Sequence, residues 1–175
     1  KKFNTFVKDN YLYKWVHDSV GINLRLTEIQ SAIGLIQLRK IKTWNYLRNK
    51  NANIFIEMLS EITSVRIPKV PENFVHAWYK FYLYINKEKL LPAWSRDRII
   101  KEINLLGYPA FQGSCSELYL EDCFKTNNNI SKKRLKNARK LGETSIMLLI
   151  HPTISLIQME NYALVVKSVI LKATR

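Results

Sequence analysis

The sequence lacks the features that most directly assign a protein to a class. It contains no run of 18 or more apolar residues, and a helix that spans a membrane needs about 20. The first five residues, KKFNT, do not form the apolar stretch of a secretion signal. No GxGxxG, P-loop, HExxH or GxSxG motif occurs, so dinucleotide, nucleotide, zinc-protease and serine-hydrolase chemistry are not indicated.

Residues that bind metals are also few. The two cysteines, Cys115 and Cys123, do not have CxxC spacing, so we expect two reduced thiols in a cytosolic protein rather than a zinc site. The three histidines, at positions 17, 76 and 151, lie far apart and outside any metal motif. No metal site is therefore predicted.

Acidic residues are scarce relative to basic ones. The chain has 28 Lys and Arg against 14 Asp and Glu, a net charge of +14. Such a balance suggests nucleic acid, a membrane surface or a phosphorylated ligand as partner. The densest cluster is Lys132, Lys133 and Arg134, continued by Lys136, Arg139 and Lys140. We interpret it as a solvated surface helix, with contact to nucleic acid as the alternative.

A long helix is predicted from Thr27. Thr27 and Gln30 fit a capping box, and apolar residues recur at steps of three and four as far as Leu59. At 1.5 Å per residue this helix is on the order of 50 Å long. Because one small domain cannot cover that length, part of the helix is expected to pack on another domain or subunit. Residues 1–26 are interpreted as an irregular lead-in.

The rest of the chain predicts a small sheet with helices. Strands are expected at residues 65–67, 78–85, 108–111 and 145–150, with Tyr79, Phe81, Leu83 and Ile85 on one face of the second. Three helices are expected. The first follows Ser95, has Ile99, Ile103 and Leu106 as its apolar face, and ends at Gly107; the second covers 131–141 and ends at Gly142. The third follows the capping box of Ser155 and buries Met159, Tyr162, Val166 and Val169. This order predicts an α+β fold.

Four blocks, in order, carry a family resemblance. Residues 21–38 read GINLRLTEIQSAIGLIQL and resemble the GxNxR-(M/L)-(T/S)-E-(I/L)-Q segment of the DegT/DnrJ/EryC1/StrS sugar aminotransferases. HAWYKFY (76–82), GSCSELYLE (113–121) and LIHPTI (149–154) resemble later family segments. Departures are Ser31 for the usual Ala, Leu24 for Tyr or Phe, and Ile150 for Pro.

The resemblance implies the small C-terminal α+β domain of a type I aminotransferase-like fold, with a long N-terminal helix and a small, mostly antiparallel sheet packed by helices. Residues 27–175 would be this domain, with 27–59 as its connecting helix. The large domain that binds pyridoxal phosphate (PLP) is expected to be absent. The family's Schiff-base lysine precedes GxNxR, and none of Lys1, Lys2, Lys8 and Lys14 has its sequence context, so no catalytic residue is predicted.

For the cofactor, the resemblance implies that Asn23 reaches across a homodimer interface to the PLP phosphate of the partner's site. An amide N–H can donate to a dianion, and the guanidinium of Arg25 could add a charge-assisted bond. The alternative for Arg25 is structural, as an ion pair with Glu28 or a brace for the turn.

For the substrate, the resemblance places His76, Ser116 and Tyr119 near a nucleotide-linked sugar. His76 could instead be a surface or capping residue, because it opens the predicted strand. The Ser116 and Tyr119 hydroxyls suit sugar or phosphate oxygens, but Ser116 could be a helix cap and Tyr119 a core aromatic. His151, at the end of a buried strand, is expected to be structural.

The implied activity is transfer of an amino group from glutamate to a keto-deoxysugar nucleotide, in a cytoplasmic bacterial enzyme of surface-polysaccharide or antibiotic sugar biosynthesis. The isolated chain is expected to be inactive because the Schiff-base lysine is not in it. Two alternatives without catalysis remain, a basic module that binds nucleic acid and a dimerisation element. Against the first, the aromatic residues do not alternate with the basic cluster.

Overall fold

A computed structural model describes residue 21 and residues 26–113, 116–124 and 133–175. The elements follow the predicted order, which confirms the α+β class. They are α1 (Glu28–Leu59), β1 (Val65–Arg66), β2 (Phe81–Ile85), α2 (Arg96–Leu105), β3 (Ala110–Gln112), α3 (Lys136–Thr144), β4 (Ser145–Leu148) and α4 (Leu156–Ala173). Short 3-10 turns lie at Lys87–Lys89, Leu118–Leu120 and Asp122–Phe124.

The four strands form one sheet in the order β1-β2-β4-β3, and every neighbouring pair is antiparallel. Side chains alternate along β2, where Phe81, Leu83 and Ile85 are buried as predicted. Tyr79 was wrongly placed on that face and is 75% exposed. The reason is that β2 begins at Phe81, after a turn in which Trp78 has a φ of 43°.

Three helix starts are confirmed at the side-chain level. Thr27 and Ser155 each form a capping box with the residue three positions on, and the Ser95 hydroxyl accepts from the Arg98 N–H. These bonds satisfy backbone donors that a helix start leaves free. The predicted stop at Gly107 is also confirmed by a left-handed φ of 85°.

The core lies where α1 and α4 meet the sheet. The Phe55 ring of α1 stacks on Phe81 of β2 at 5.0 Å and meets Tyr162 of α4 edge-on at 5.1 Å. The predicted α4 face, Met159, Tyr162, Val166 and Val169, is buried. Aromatic pairs in these geometries add to the stabilisation from burial.

The predictions for helices α2 and α3 were wrong in part. The basic helix was expected over 131–141 with Gly142 as its stop, but α3 begins at Lys136 and carries Gly142 inside it, buried. The Arg96 guanidinium donates to the Gly142 carbonyl at 3.0 Å, which places this turn of α3 against the start of α2. Leu106, expected on the buried face of α2, caps that helix and is 53% exposed.

The first half of α1 does not contact this core. All residues of α1 from Glu28 to Thr43 are exposed, whereas Asn51, Ala52, Phe55 and Leu59 are buried. The apolar side chains of this half of α1 are therefore left without a partner in the described chain.

Within the described residues, no helix is long and apolar enough to cross a membrane.

Candidate functional site

The structure describes three of the five predicted site residues. Asn23 and Arg25 lie outside the described residues. His76 lies in the turn before β2, and Ser116 and Tyr119 lie in the segment that follows β3. The three described residues thus belong to loops at the ends of two strands of the sheet.

A tight turn holds the His76 ring. The Trp78 backbone N–H donates to His76 Nδ1 at 2.9 Å, and the two rings lie 4.2 Å apart. The Asn49 amide of α1 donates to the His76 carbonyl at 3.1 Å. A ring nitrogen that accepts a hydrogen bond carries no proton, so in the neutral ring the proton sits on Nε2. His76 therefore presents an N–H donor on its outer side.

Trp78 anchors this turn to the core. It is 6% exposed, and its ring stacks on Phe81 at 5.4 Å. Its positive φ is costly for a residue with a Cβ, on the order of 1–3 kcal/mol. Such conformations persist where the surroundings determine them, and here the core contact and the bond to His76 do so. The sequence had placed His76 at the opening of a strand, and the structure shows a side-chain-capped turn instead.

The second loop is held by a buried carboxylate. Glu117 is 3% exposed, and its two oxygens accept from Arg134 Nε at 3.0 Å and Nη2 at 2.5 Å. The hydrogen bonding that Arg134 donates to Glu117, together with the negative charge of that carboxylate, raises the pKa of Arg134. The bidentate pair ties the loop after β3 to the residues just before α3. It spans 17 positions of sequence, and no local pattern predicted it.

The Tyr119 hydroxyl is part of the same arrangement. It donates to Glu117 Oε1 and accepts from the Leu135 N–H, both at 2.8 Å. The hydroxyl is thus engaged in orienting the loop rather than free to meet a sugar, although one lone pair remains. Ser116 differs, because its Oγ is buried and no hydrogen-bond partner for it occurs within the described residues. Of the two hydroxyls, Ser116 is the one whose O–H donor is not already used within the described residues.

The chain matches the model of the DegT/DnrJ/EryC1/StrS aminotransferase family over residues 3–169. It belongs to this family. The fold prediction is therefore confirmed both by the elements and by the relatives described next.

Three known proteins show how similar this chain is to other proteins in sequence or in fold. An aminotransferase from Psychrobacter cryohalolentis is 37% identical with a TM-score of 0.80, over 92% of this chain and 43% of that one. The erythromycin biosynthesis sensory transduction protein EryC1 of Saccharopolyspora erythraea is 31% identical over 55% of this chain and 26% of its own. A GDP-4-keto-6-deoxymannose-3-dehydratase with a trapped PLP-glutamate geminal diamine shares the fold at 21% identity, with a TM-score of 0.62 over 84% of this chain and 37% of that one.

The chain thus spans less than half the length of these relatives. Arg96 is the only buried lysine or arginine among its described residues. Its guanidinium already donates to the Gly142 and Ser145 carbonyls and to Asp97, so it is not free to hold a phosphate. The described part contains no cluster of three or more His, Cys, Asp or Glu side chains that could hold a metal ion. In this DegT/DnrJ/EryC1/StrS chain, the described part of the candidate site thus consists of two loops, one that carries His76 and one that carries Ser116 and Tyr119.

Proposed function

We propose that this chain is the C-terminal portion of a PLP-dependent enzyme that transfers an amino group from glutamate to a keto-deoxysugar nucleotide. The similarity to the Psychrobacter aminotransferase over 92% of the chain is the observation that carries this proposal. PLP, when bound, supplies the electron sink for moving the amino group. The residues below bind and orient around that chemistry.

His76 is proposed as a hydrogen-bond donor to the nucleotide-sugar. Its Nδ1 is occupied by the Trp78 N–H, so its neutral ring offers Nε2–H in a fixed direction. A preoriented donor of this kind loses little conformational entropy on binding. Ser116, whose buried Oγ has no partner among the described residues, is proposed as the second polar contact in this portion of the site.

In this proposal Tyr119 does not contact the substrate and instead positions the loop that does. Its hydroxyl joins Glu117 to the backbone of Leu135, and this bridge sets the position of the loop that carries Ser116. Asn23 and Arg25 are proposed to bind the cofactor phosphate from the second subunit of a homodimer. That assignment rests on the family motif in residues 21–38.

The exposed half of α1 is proposed as the surface that meets the large domain or the second subunit. Its uncovered apolar side chains include Ile29, Ile33, Leu35, Ile36 and Leu38, each more than half exposed. An apolar patch of this kind on a folded surface marks an interface. The same surface would serve the dimerisation element named above as an alternative.

The activity is tested with a chimera in which this chain replaces the matching 43% of the Psychrobacter aminotransferase. With glutamate and a panel of keto-deoxysugar nucleotides, we expect a glutamate-dependent aminated product. Because a relative is a 3-dehydratase, the assay also scores loss of water from the sugar. A folded chimera that binds PLP and yields dehydrated product alone would replace amino transfer by dehydration.

The chain on its own provides the matching control. Mixed with PLP it should show no aldimine absorbance band, and with glutamate and the same sugars no turnover, because no lysine in it has the expected sequence context. A band or turnover would mean that the Schiff-base lysine had been misassigned. In the chimera, His76→Ala should raise KM for the sugar with little change in kcat, since a donor that binds ground state and transition state alike affects KM. An equal fall in kcat and kcat/KM would contradict a purely binding role.

A further inference from the structure

A groove of about 830 Å³ lies between helix α3 and the strands β1 and β2. One wall is α3, and the floor includes Arg66 and Tyr84, which are paired neighbours on β1 and β2. We refer to this cavity as the α3 groove. None of its lining residues is among His76, Ser116 and Tyr119. Its volume lies in the range of about 300–1,000 Å³ that is usual for small-molecule sites.

The α3 groove carries an excess of positive charge. Five cationic residues line it, Arg66, Lys87, Lys136, Arg139 and Lys140, against the two carboxylates Glu88 and Glu143. Glu143 already pairs with Lys87 at 2.9 Å and with Arg139 at 2.8 Å. The hydrogen bonds from Arg139 and Lys87 lower the pKa of Glu143 to about 2, so this carboxylate stays ionised and neutralises part of their charge.

Three cations are then left over in the α3 groove. Arg66, Lys136 and Lys140 have no carboxylate within ion-pair distance among the described residues. Lys136 is also the first residue of α3, a helix with no acidic residue in its first turn and no side-chain cap. The amide groups of a helix start carry partial positive charge. Side-chain cations and the start of α3 therefore both contribute positive charge to the lining of the groove.

The floor offers a planar surface beside these charges. The Arg66 guanidinium carbon lies 4.2 Å from the centre of the Tyr84 ring, and Arg66 is exposed. Nucleobases stack on guanidinium planes and aromatic rings. Asn137, in the first turn of α3, adds an amide that can meet a base edge or a phosphate oxygen.

We propose that the α3 groove binds a nucleoside diphosphate, with its base against the Arg66–Tyr84 pair and its phosphates toward Lys136, Lys140 and the start of α3. A single stacking surface in a concave cavity fits one nucleotide better than a strand of nucleic acid, which needs successive stacking platforms along a basic track. The proposal does not depend on the aminotransferase reaction.

The test is calorimetric titration of this chain with ADP, using adenosine and pyrophosphate as fragments. We expect saturable binding of ADP that weakens as salt screens the lysines, and weaker binding of each fragment. The double variant Lys136→Gln/Lys140→Gln should raise the Kd for ADP by about tenfold or more. Lys101→Gln/Lys172→Gln makes the same charge change at exposed positions outside the α3 groove, and should change the Kd by less than about twofold.

A third variant separates stacking from charge. Arg66→Lys keeps the charge but removes the planar group, so it should weaken ADP binding and leave pyrophosphate binding nearly unchanged. Equal losses in the two double variants would mean a general effect of the net charge and would overturn the site. Pyrophosphate that binds as tightly as ADP would overturn the nucleoside half, and an oligonucleotide that binds where ADP does not would replace the proposal with a nucleic-acid surface. Each readout is binding to the chain itself, so failure here leaves the amino-transfer assay of the chimera unaffected.

Discussion

Replacing Gly113 with alanine is expected to destabilise the domain, and the structure indicates why. Gly113 is buried beside β4, and a Cβ built on it would lie 2.7 Å from the Cβ of Ser145 and would also overlap its Oγ. The hydroxyl can rotate away, but the Ser145 Cβ is fixed to a strand that is paired on both sides. Overpacking that requires a backbone shift costs about 1–3 kcal/mol. For a domain of this size that corresponds to roughly 2–12 °C in the unfolding midpoint.

The assay for Gly113→Ala is a double-mutant cycle in urea with Ser145→Gly. Glycine at 145 removes both overlapping atoms and leaves Tyr82 Cε1 at 3.5 Å, an ordinary contact. Ser145→Gly alone should cost about 1 kcal/mol as a glycine in a strand, and Gly113→Ala should add almost nothing to it. The Arg96 bond to the Ser145 carbonyl is a backbone contact and is retained.

Gly34→Ala is the matched control for the alanine substitution. Gly34 lies in α1, and a Cβ added there would have no atom of the described chain within 4 Å outside its own helical turn. Alanine should therefore be neutral or stabilise by up to about 1 kcal/mol. Additive effects of Gly113→Ala and Ser145→Gly, with no coupling free energy, would refute the close approach as the reason for the glycine at 113.

Three further predictions concern stability and association, each with its own measurement. Phe55→Ala should lower the free energy of unfolding in urea by about 3–5 kcal/mol, because the ring is fully buried between Phe81 and Tyr162; a loss below about 1 kcal/mol would contradict its central place in the core. Glu143 has a pKa lowered from 4.5 to about 2, so its contribution to the free energy of unfolding is present above pH 4.5 and is lost as the pH falls toward 2. Glu143→Gln should therefore make the unfolding midpoint depend less on pH between 4.5 and 2. An unchanged pH dependence would count against the pairing. The double variant Ile33→Glu/Ile36→Glu on α1 should reduce self-association of the chain in analytical ultracentrifugation. Ile157 is 71% exposed on α4, and Ile157→Glu should not reduce self-association. Equal effects of the two variants would mean that α1 is not the interface.

Local sequence chemistry was sufficient for most element starts. The capping boxes at Thr27 and Ser155 and the positive φ at Gly107 depend on residues within a few positions of one another, and this is the range over which side chains compete with the backbone for hydrogen bonds. The buried face of α4 followed from its 3.6-residue period. Tyr79 was misassigned because alternation was extended through a turn that His76 caps.

The site shows the opposite dependence. Serine and tyrosine in GSCSELYLE looked equivalent as hydroxyl donors, but the Tyr119 hydroxyl is bound to Glu117 and the Leu135 N–H. Glu117 in turn takes its charge partner, Arg134, from a basic cluster that the sequence indicated only as a solvated helix. A pairing across 17 positions leaves no periodic signal, so the sequence could not separate Ser116 from Tyr119.

By itself, the sequence determined the family, through the four ordered blocks, and the α+β element order, since periodicity and capping act locally. Only the tertiary structure decided which groups are already occupied. It placed the proton of neutral His76 on Nε2, left the Ser116 hydroxyl without a described partner and gathered Arg66, Lys136 and Lys140 around one groove. The physical reason is that hydrogen-bond occupancy and net charge depend on which distant segments meet, and that is fixed by packing rather than by neighbours in the chain.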